Sequence, residues 1–196
     1  YQSLKETYAT TDLNLDVNRL LLKDISASAS FRYRSQPLNF NYHLFQSDFK
    51  EYNWSNTSLV NQNSSTKSIG VSHPKWGNVS AAWSTINNYG FFSNRTPLIF
   101  LNEKFKVQVL QLDKQIHYFK ARFNQRLDFG KLSWINNVQY QKVTQEQDLD
   151  QLLGDPLTLN VPEWLIRSTL MMTSSIFNKA LSFQSGATFV FFTDYY

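Results

Sequence analysis

Apolar and polar side chains alternate over long stretches of this chain. Ile25, Ala27, Ala29, Phe31 and Tyr33 share one parity, and Ser26, Ser28, Ser30, Arg32 and Arg34 hold the other. Val79, Ala81, Trp83 and Tyr89 alternate with Ser80, Ser84 and Asn88. Phe119, Ala121, Phe123 and Leu127 alternate with Lys120, Arg122, Asn124 and Arg126. Leu132, Trp134, Val138 and Tyr140 alternate with Ser133, Asn137, Gln139 and Gln141. From Pro162 to Tyr196 the pattern reads as two strands joined by a tight turn at Phe177-Asn178-Lys179. Trp164, Ile166, Leu170, Met172 and Ile176 oppose Arg167, Thr169, Thr173 and Ser175 in the first; Leu181, Phe183, Ala187, Phe189 and Phe191 oppose Ser182, Gln184, Gly186 and Thr188 in the second. Successive side chains of a strand point to opposite faces, so a period of two means strands with one apolar and one polar face. Such strands exceed the usual length in soluble sheets and suit a tilted crossing of a bilayer.

Other stretches are less regular. In residues 1–24, Leu13, Leu15 and Val17 alternate with Asn14, Asp16 and Asn18, which reads as a short strand. The run Arg19-Leu20-Leu21-Leu22-Lys23 then breaks the period, leaving a helical turn, a turn packed into a lumen and a strand end all open. After a turn at Ser35-Gln36-Pro37, Phe40, Tyr42 and Leu44, then Tyr52 and Trp54, keep one parity, as one long strand or two broken near Asp48. Asn61 to Ser65 has loop composition, and Ile69 and Val71 mark a short strand ending at His73-Pro74. Long loops are expected near 91–114 and 144–161, with Phe105, Val107 and Val109 reading as strand within the first.

From Lys75 onward short and long connections alternate: a turn at 74–77, a loop, a turn at 129–131 with Gly130 supplying positive φ, a loop, and the turn at 177–179. Outer-membrane barrels have short periplasmic turns and long extracellular loops, whereas a soluble sandwich has no cause to alternate this way. The expected class is all-β, an antiparallel transmembrane β-barrel, partial, with roughly eight to ten strands in the chain. Lys or Arg facing mid-bilayer lipid costs about 2–4 kcal/mol. Arg32, Arg34, Lys120, Arg122, Arg126 and Arg167 should therefore line the lumen or sit near strand ends. Trp54, Trp76, Trp134, Tyr140, Trp164 and Tyr195 are candidates for interfacial girdles.

Composition sharpens this picture. Aromatic residues make up 16% of the 196 residues and charged ones only 17%, below the quarter usual in soluble domains. Asn, Gln, Ser and Thr carry the polarity instead, which keeps mean hydropathy low without arguing against a barrel. The net charge of +4 forms no basic block of nucleic-acid type; it either gives a pore a weak anion preference or reflects placement alone. Without Cys there is neither a disulfide framework nor a thiolate metal site. No apolar run is long enough for a helical span.

Several stretches resemble one family. His43-Leu44-Phe45-Gln46-Ser47-Asp48-Phe49-Lys50-Glu51-Tyr52-Asn53-Trp54 resembles a motif of the putative-porin family of Bacteroidota outer membranes. Leu22 to Ala29, Leu159-Asn160-Val161-Pro162, and Leu181 through Gly186 to Tyr196 are similar to the same family in the same order. The resemblance implies an outer-membrane β-barrel, a porin by architecture above all, of which this chain is an internal fragment. It carries over no catalytic residues and no substrate. The partners expected are outer-membrane lipid and, in an accessory barrel, the proteins of a secretion or nutrient-uptake complex; nucleic acid is not among them.

Catalytic and metal-binding patterns are missing. His43, His73 and His117 lie far apart without a second ligand at metal spacing. Glu146, Asp148, Asp150 and Asp155 lack the Gly and Glu positions of a calcium loop. No nucleophile elbow, phosphate-binding loop or dinucleotide fingerprint is present, so neither a cofactor nor an enzyme activity is expected.

Overall fold

The computed structural model describes residues 10–22, 24–49, 53–56, 58–93, 107–145, 159–176 and 181–194. In chain order the elements are β1 (Thr11–Leu22), β2 (Ile25–Gln36), α1 (Phe40–His43), β3 (Leu44–Phe45), β4 (Trp54–Ser55), β5 (Gln62–His73) and β6 (Gly77–Asn87). They continue with β7 (Gly90–Ser93), β8 (Gln108–Gln111), β9 (Ile116–Phe129), β10 (Leu132–Gln145), β11 (Trp164–Ile176) and β12 (Leu181–Phe192). Eight of them form one sheet in the order β1-β2-β5-β6-β9-β10-β11-β12, antiparallel throughout. The sheet is open, with β1 and β12 at its edges. Its strands run 11 to 14 residues.

The connections are segregated. The β1–β2, β5–β6, β9–β10 and β11–β12 connections are short and lie at one end of the sheet; all longer ones lie at the other. Asp24 (φ 80°), Gly77 (φ 88°) and Gly130 (φ 62°) take the left-handed conformation that tight reversals require. The turn expected at 177–179 lies outside the described residues.

Cross-strand partners share a face, so the register assigns every side chain. One face carries Leu13, Leu15 and Val17, then Ala29 and Phe31, then Ile69 and Val71, then Val79, Ala81 and Trp83. It continues through Phe119, Ala121, Phe123, Val138, Tyr140, Ile166, Leu170, Ala187 and Phe189. The other face carries mostly Ser, Thr, Asn, Gln, Lys and Arg, interrupted by Ile86, Ile116, Ile135 and Val143 on β6, β9 and β10 and by Leu165, Met171, Val190 and Phe192 on β11–β12.

Among the described residues no second layer covers the apolar face. Leu15 is 59% exposed, Val17 67% and Phe189 63%, while among the described residues the buried hydrophobic side chains are Leu59, Val109 and Ile116. Burying a Val, Leu or Phe side chain is worth about 1.5–3 kcal/mol. A face this broad left in water would forgo most of what stabilises a fold, so its surroundings must themselves be apolar. No helix among the described residues is long and apolar enough to cross a membrane.

Several expectations change. Thr11–Leu22 is a full strand, and the broken period at its end is a bulge between Leu20 and Leu22. Gln62–His73 is likewise a full strand, although Asn61 to Ser65 has loop composition. The described residues of 40–54 do not join the eight-stranded sheet; of the two readings, the stretch is broken around Asp48 into the short strands β3 and β4. Asn39 caps α1 by accepting from the Asn41 backbone N–H, and β3 and β4 form a two-residue ribbon. This 37–61 stretch is the first long connection. The expected loop near 91–114 contains the β7–β8 ribbon, with 94–106 outside the described residues, and β10 extends to Gln145 before the connection whose residues 146–158 are also outside them.

Candidate functional site

The polar face of the sheet is the candidate site. Arg32 and Arg34 on β2, Lys120, Arg122 and Arg126 on β9, and Arg167 on β11 all occupy it. Two of the six are neutralised. The Arg34 guanidinium meets Asp12 at 2.8 Å across β1–β2, and Arg126 meets Asp128 at 3.0 Å along β9. Among the described residues, Arg32, Lys120, Arg122 and Arg167 have no carboxylate at ion-pair distance. Arg122 instead donates from Nε to Gln139 Oε1 at 2.7 Å, and the Lys120 ammonium lies 5.6 Å from the centre of the Tyr118 ring.

Around these cations the face is a ladder of small hydroxyls and amides. Ser26 pairs with Ser72 at 2.7 Å, Ser30 with Ser68 at 2.6 Å, Thr66 with Ser84 at 2.9 Å and Thr169 with Thr188 at 3.0 Å. Asn124 donates to Asn78 at 2.8 Å, and the Tyr118 hydroxyl donates to Gln141 at 2.6 Å. Small side chains on adjacent strands leave the long cations standing above a low floor.

The aromatic candidates separate by location. Trp83, Phe119, Tyr140 and Trp164 form a continuous row on the apolar face near the long-connection end, with centroids 5.3, 6.2 and 4.9 Å apart. Trp134 lies on the same face near the turn end, about 20 Å along the strand from Tyr140. Trp76 is in the β5–β6 turn itself, 72% exposed and set edge-on to His73. Trp54 is not part of the sheet. It stacks on Phe45 and meets Phe92 edge-on, and its Nε1 donates to the Asn41 carbonyl. With Tyr42 stacked on Phe92, these rings join the first two long connections into a small aromatic cap. Burial, and secondarily Tyr42, raises the Tyr89 phenol above its ordinary pKa. Tyr195 lies outside the described residues, as do Glu146, Asp148, Asp150 and Asp155.

Three features escape a reading by alternation. Lys67 sits on the apolar face opposite both Phe31 and Trp83, level with the aromatic row, where its stem can lie along apolar surface while its ammonium reaches outward. Lys142 does the same opposite Phe119. The third is a polar patch inside the apolar face: Gln125, Asn136 and Ser168 are lateral neighbours on β9, β10 and β11. Ser168 donates to Asn136 Oδ1 at 2.8 Å and accepts from Trp134 Nε1 at 2.8 Å. Their only signal in the sequence is a skipped apolar position in each of three strands.

Comparisons with known proteins agree with this architecture. Neither the curated proteins nor the solved structures contain a match to the chain. The family model described as "Putative porin" matches residues 2–196, nearly the whole length. With that match over nearly its whole length and an antiparallel all-β sheet, the chain belongs to the putative-porin family.

Proposed function

We propose that the protein is an outer-membrane β-barrel that passes small solutes by diffusion along its polar face. The observation that carries this reading is the division of one sheet into an unlayered apolar face and a polar face bearing six cations. Lipid takes the apolar face, with Trp83, Tyr140 and Trp164 at one interface and Trp76 and Trp134 at the other. Arg32, Arg34, Lys120, Arg122, Arg126 and Arg167 line the lumen, where water screens and solvates them. The role is that of a channel rather than a catalyst, in keeping with the family.

Full-length protein in a planar bilayer is expected to give discrete conductance steps. Four cations without carboxylate partners among the described residues favour anions, so replacing Arg32, Lys120, Arg122 and Arg167 together by glutamine is expected to move the reversal potential in a salt gradient towards cation preference. A silent barrel would sink the pore, and an unchanged reversal potential would remove these side chains from the conducting path.

A second reading rests on the polar patch. Amides in hydrocarbon lose several kcal/mol each unless paired. Gln125 and Asn136 suit contact with another membrane protein, as in an accessory barrel of a secretion or uptake complex. Native mass analysis after gentle extraction discriminates: a complex that dissociates in Gln125→Leu/Asn136→Leu supports this reading, and a lone barrel removes it.

A further inference from the structure

We infer that the polar face holds a built subsite for a small, multiply charged oxyanion, centred between Arg32, Lys120 and Arg122; the inference rests on the polar face being the lumen. A depression of about 340 Å³ lies there, lined by these cations and by Ser30, Ser68 and Ser80. That volume falls at the small end of small-molecule sites and suits a compact solute rather than a chain.

The register explains the shape. Ser30, Ser68, Ala82 and Lys120 are successive partners on β2, β5, β6 and β9, and Gly70, Ser80 and Arg122 follow on the adjacent row. Small residues across three strands lower the floor, and cations rise at both sides. In the Ser30–Ser68 pair one hydroxyl hydrogen is used between the two oxygens, which leaves the accepting serine's own hydroxyl free to donate upward.

Chemistry favours oxyanions over halides. The Arg122 Nε is held by Gln139, which fixes the plane of the guanidinium and leaves its terminal N–H groups for a ligand. A guanidinium fork matches two oxygens of one anion, a geometry that chloride cannot use. No carboxylate among the described residues neutralises any of the three cations, whereas Arg34 and Arg126 on the same face are paired with Asp12 and Asp128. Three uncompensated charges over hydroxyl donors fit an anion of charge two or more, such as a phosphate, a sulfate or a phosphate monoester.

Inorganic phosphate is the probe. Full-length protein in a phosphate-free glycoside detergent is dialysed to equilibrium against labelled phosphate at constant ionic strength, and the same phosphate is titrated against chloride current in bilayers. Saturable binding is expected, with Arg122→Gln and Lys120→Gln each weakening it about tenfold or more. Lys75→Gln, which removes one positive charge from the β5–β6 turn, should leave it unchanged. Ser80→Leu, which keeps every charge and fills the depression, should weaken binding as much as the charge variants, and Arg122→Lys covers the case in which Arg122→Gln does not fold. Non-saturable uptake, or equal losses in Lys75→Gln and Arg122→Gln, would overturn the subsite in favour of diffuse attraction. A protein that binds phosphate saturably but conducts nothing supports the subsite and removes the pore; one that conducts but does not bind removes the subsite alone.

Discussion

Replacing Gly77 with valine is expected to abolish assembly of the sheet. Gly77 opens β6 at φ 88°, a conformation that costs an L-residue about 1–2 kcal/mol, and a β-branched one more. Space is the larger problem. A Cβ at this position would overlap the carbonyl oxygen of Asn124 and come within 2.9 Å of the Gln125 Cα, both backbone atoms of β9. Backbone cannot rotate away as a side chain can, so relief requires parting β6 from β9 at Asn78↔Asn124. Strain and lost pairing together should reach about 4 kcal/mol or more, at the extreme of single-residue effects. Gly130 is the control. It has φ 62° but open space around it, so Gly130→Ala should lose only about 1–2 kcal/mol. Urea unfolding of vesicle-folded protein, with heat-modifiable gel mobility as the assembly readout, separates the two. Equal midpoints for both variants would mean that β6 and β9 are not this close at the turn.

The second large effect distinguishes neighbouring residues. Val138 and Asn137 are adjacent on β10 and nearly level, but face opposite ways: Val138 is flanked by Phe123 and Ile166, Asn137 by Asn124 and Arg167. On the proposed orientation Val138→Lys faces lipid between the aromatic row and Trp134 and should destabilise by about 2–4 kcal/mol. Lysine at 137 enters a polar surface and should change stability by within about 0.5 kcal/mol. The same unfolding assay applies. Equal destabilisation would invert or abolish the assignment of the two faces.

The chain wrote its strands most legibly where both faces obey one rule. β2, β9, β10, β11 and β12 alternate cleanly because each places apolar side chains on one surface and polar ones on the other over most of its length. β5 is half hidden: Asn63 and Ser65 share the face of Ile69 and Val71 but lie towards the long-connection end, past the level of Lys67 and Trp83, where the apolar band stops and alternation has nothing to report. β1 is hidden by its bulge, which shifts parity between Leu20 and Leu22. At 40–54 the alternation continues through residues that stay outside the large sheet, where the stretch breaks around Asp48 into β3 and β4. Phe40, Tyr42, Leu44 and Trp54 share a parity, yet Tyr42 and Trp54 serve a cap in which they pack with Phe45 and Phe92.

The cations of the site were legible for the same reason as the strands, since parity alone puts them on one surface. Which of them remain uncompensated was not. The Arg34–Asp12 pair exists because Asp12 falls opposite Arg34 in the β1–β2 register, which depends on the bulge between Leu20 and Leu22 that parity does not announce. The depression between Arg32, Lys120 and Arg122 likewise depends on four strands lying side by side.

The segregation of short and long connections bears on how the molecule can diversify. Every pairing in the eight-stranded sheet joins strands consecutive within it, and the tight reversals at one end set alignment within each hairpin. Closure entropy rises only slowly with loop length, so residues gained or lost in 37–61 or 88–115 should barely perturb that alignment. The alignment instructions and the variable surface are thus held at opposite poles of the sheet. Insertions, deletions and new recognition surfaces can accumulate at one pole while the other keeps the ladder in register.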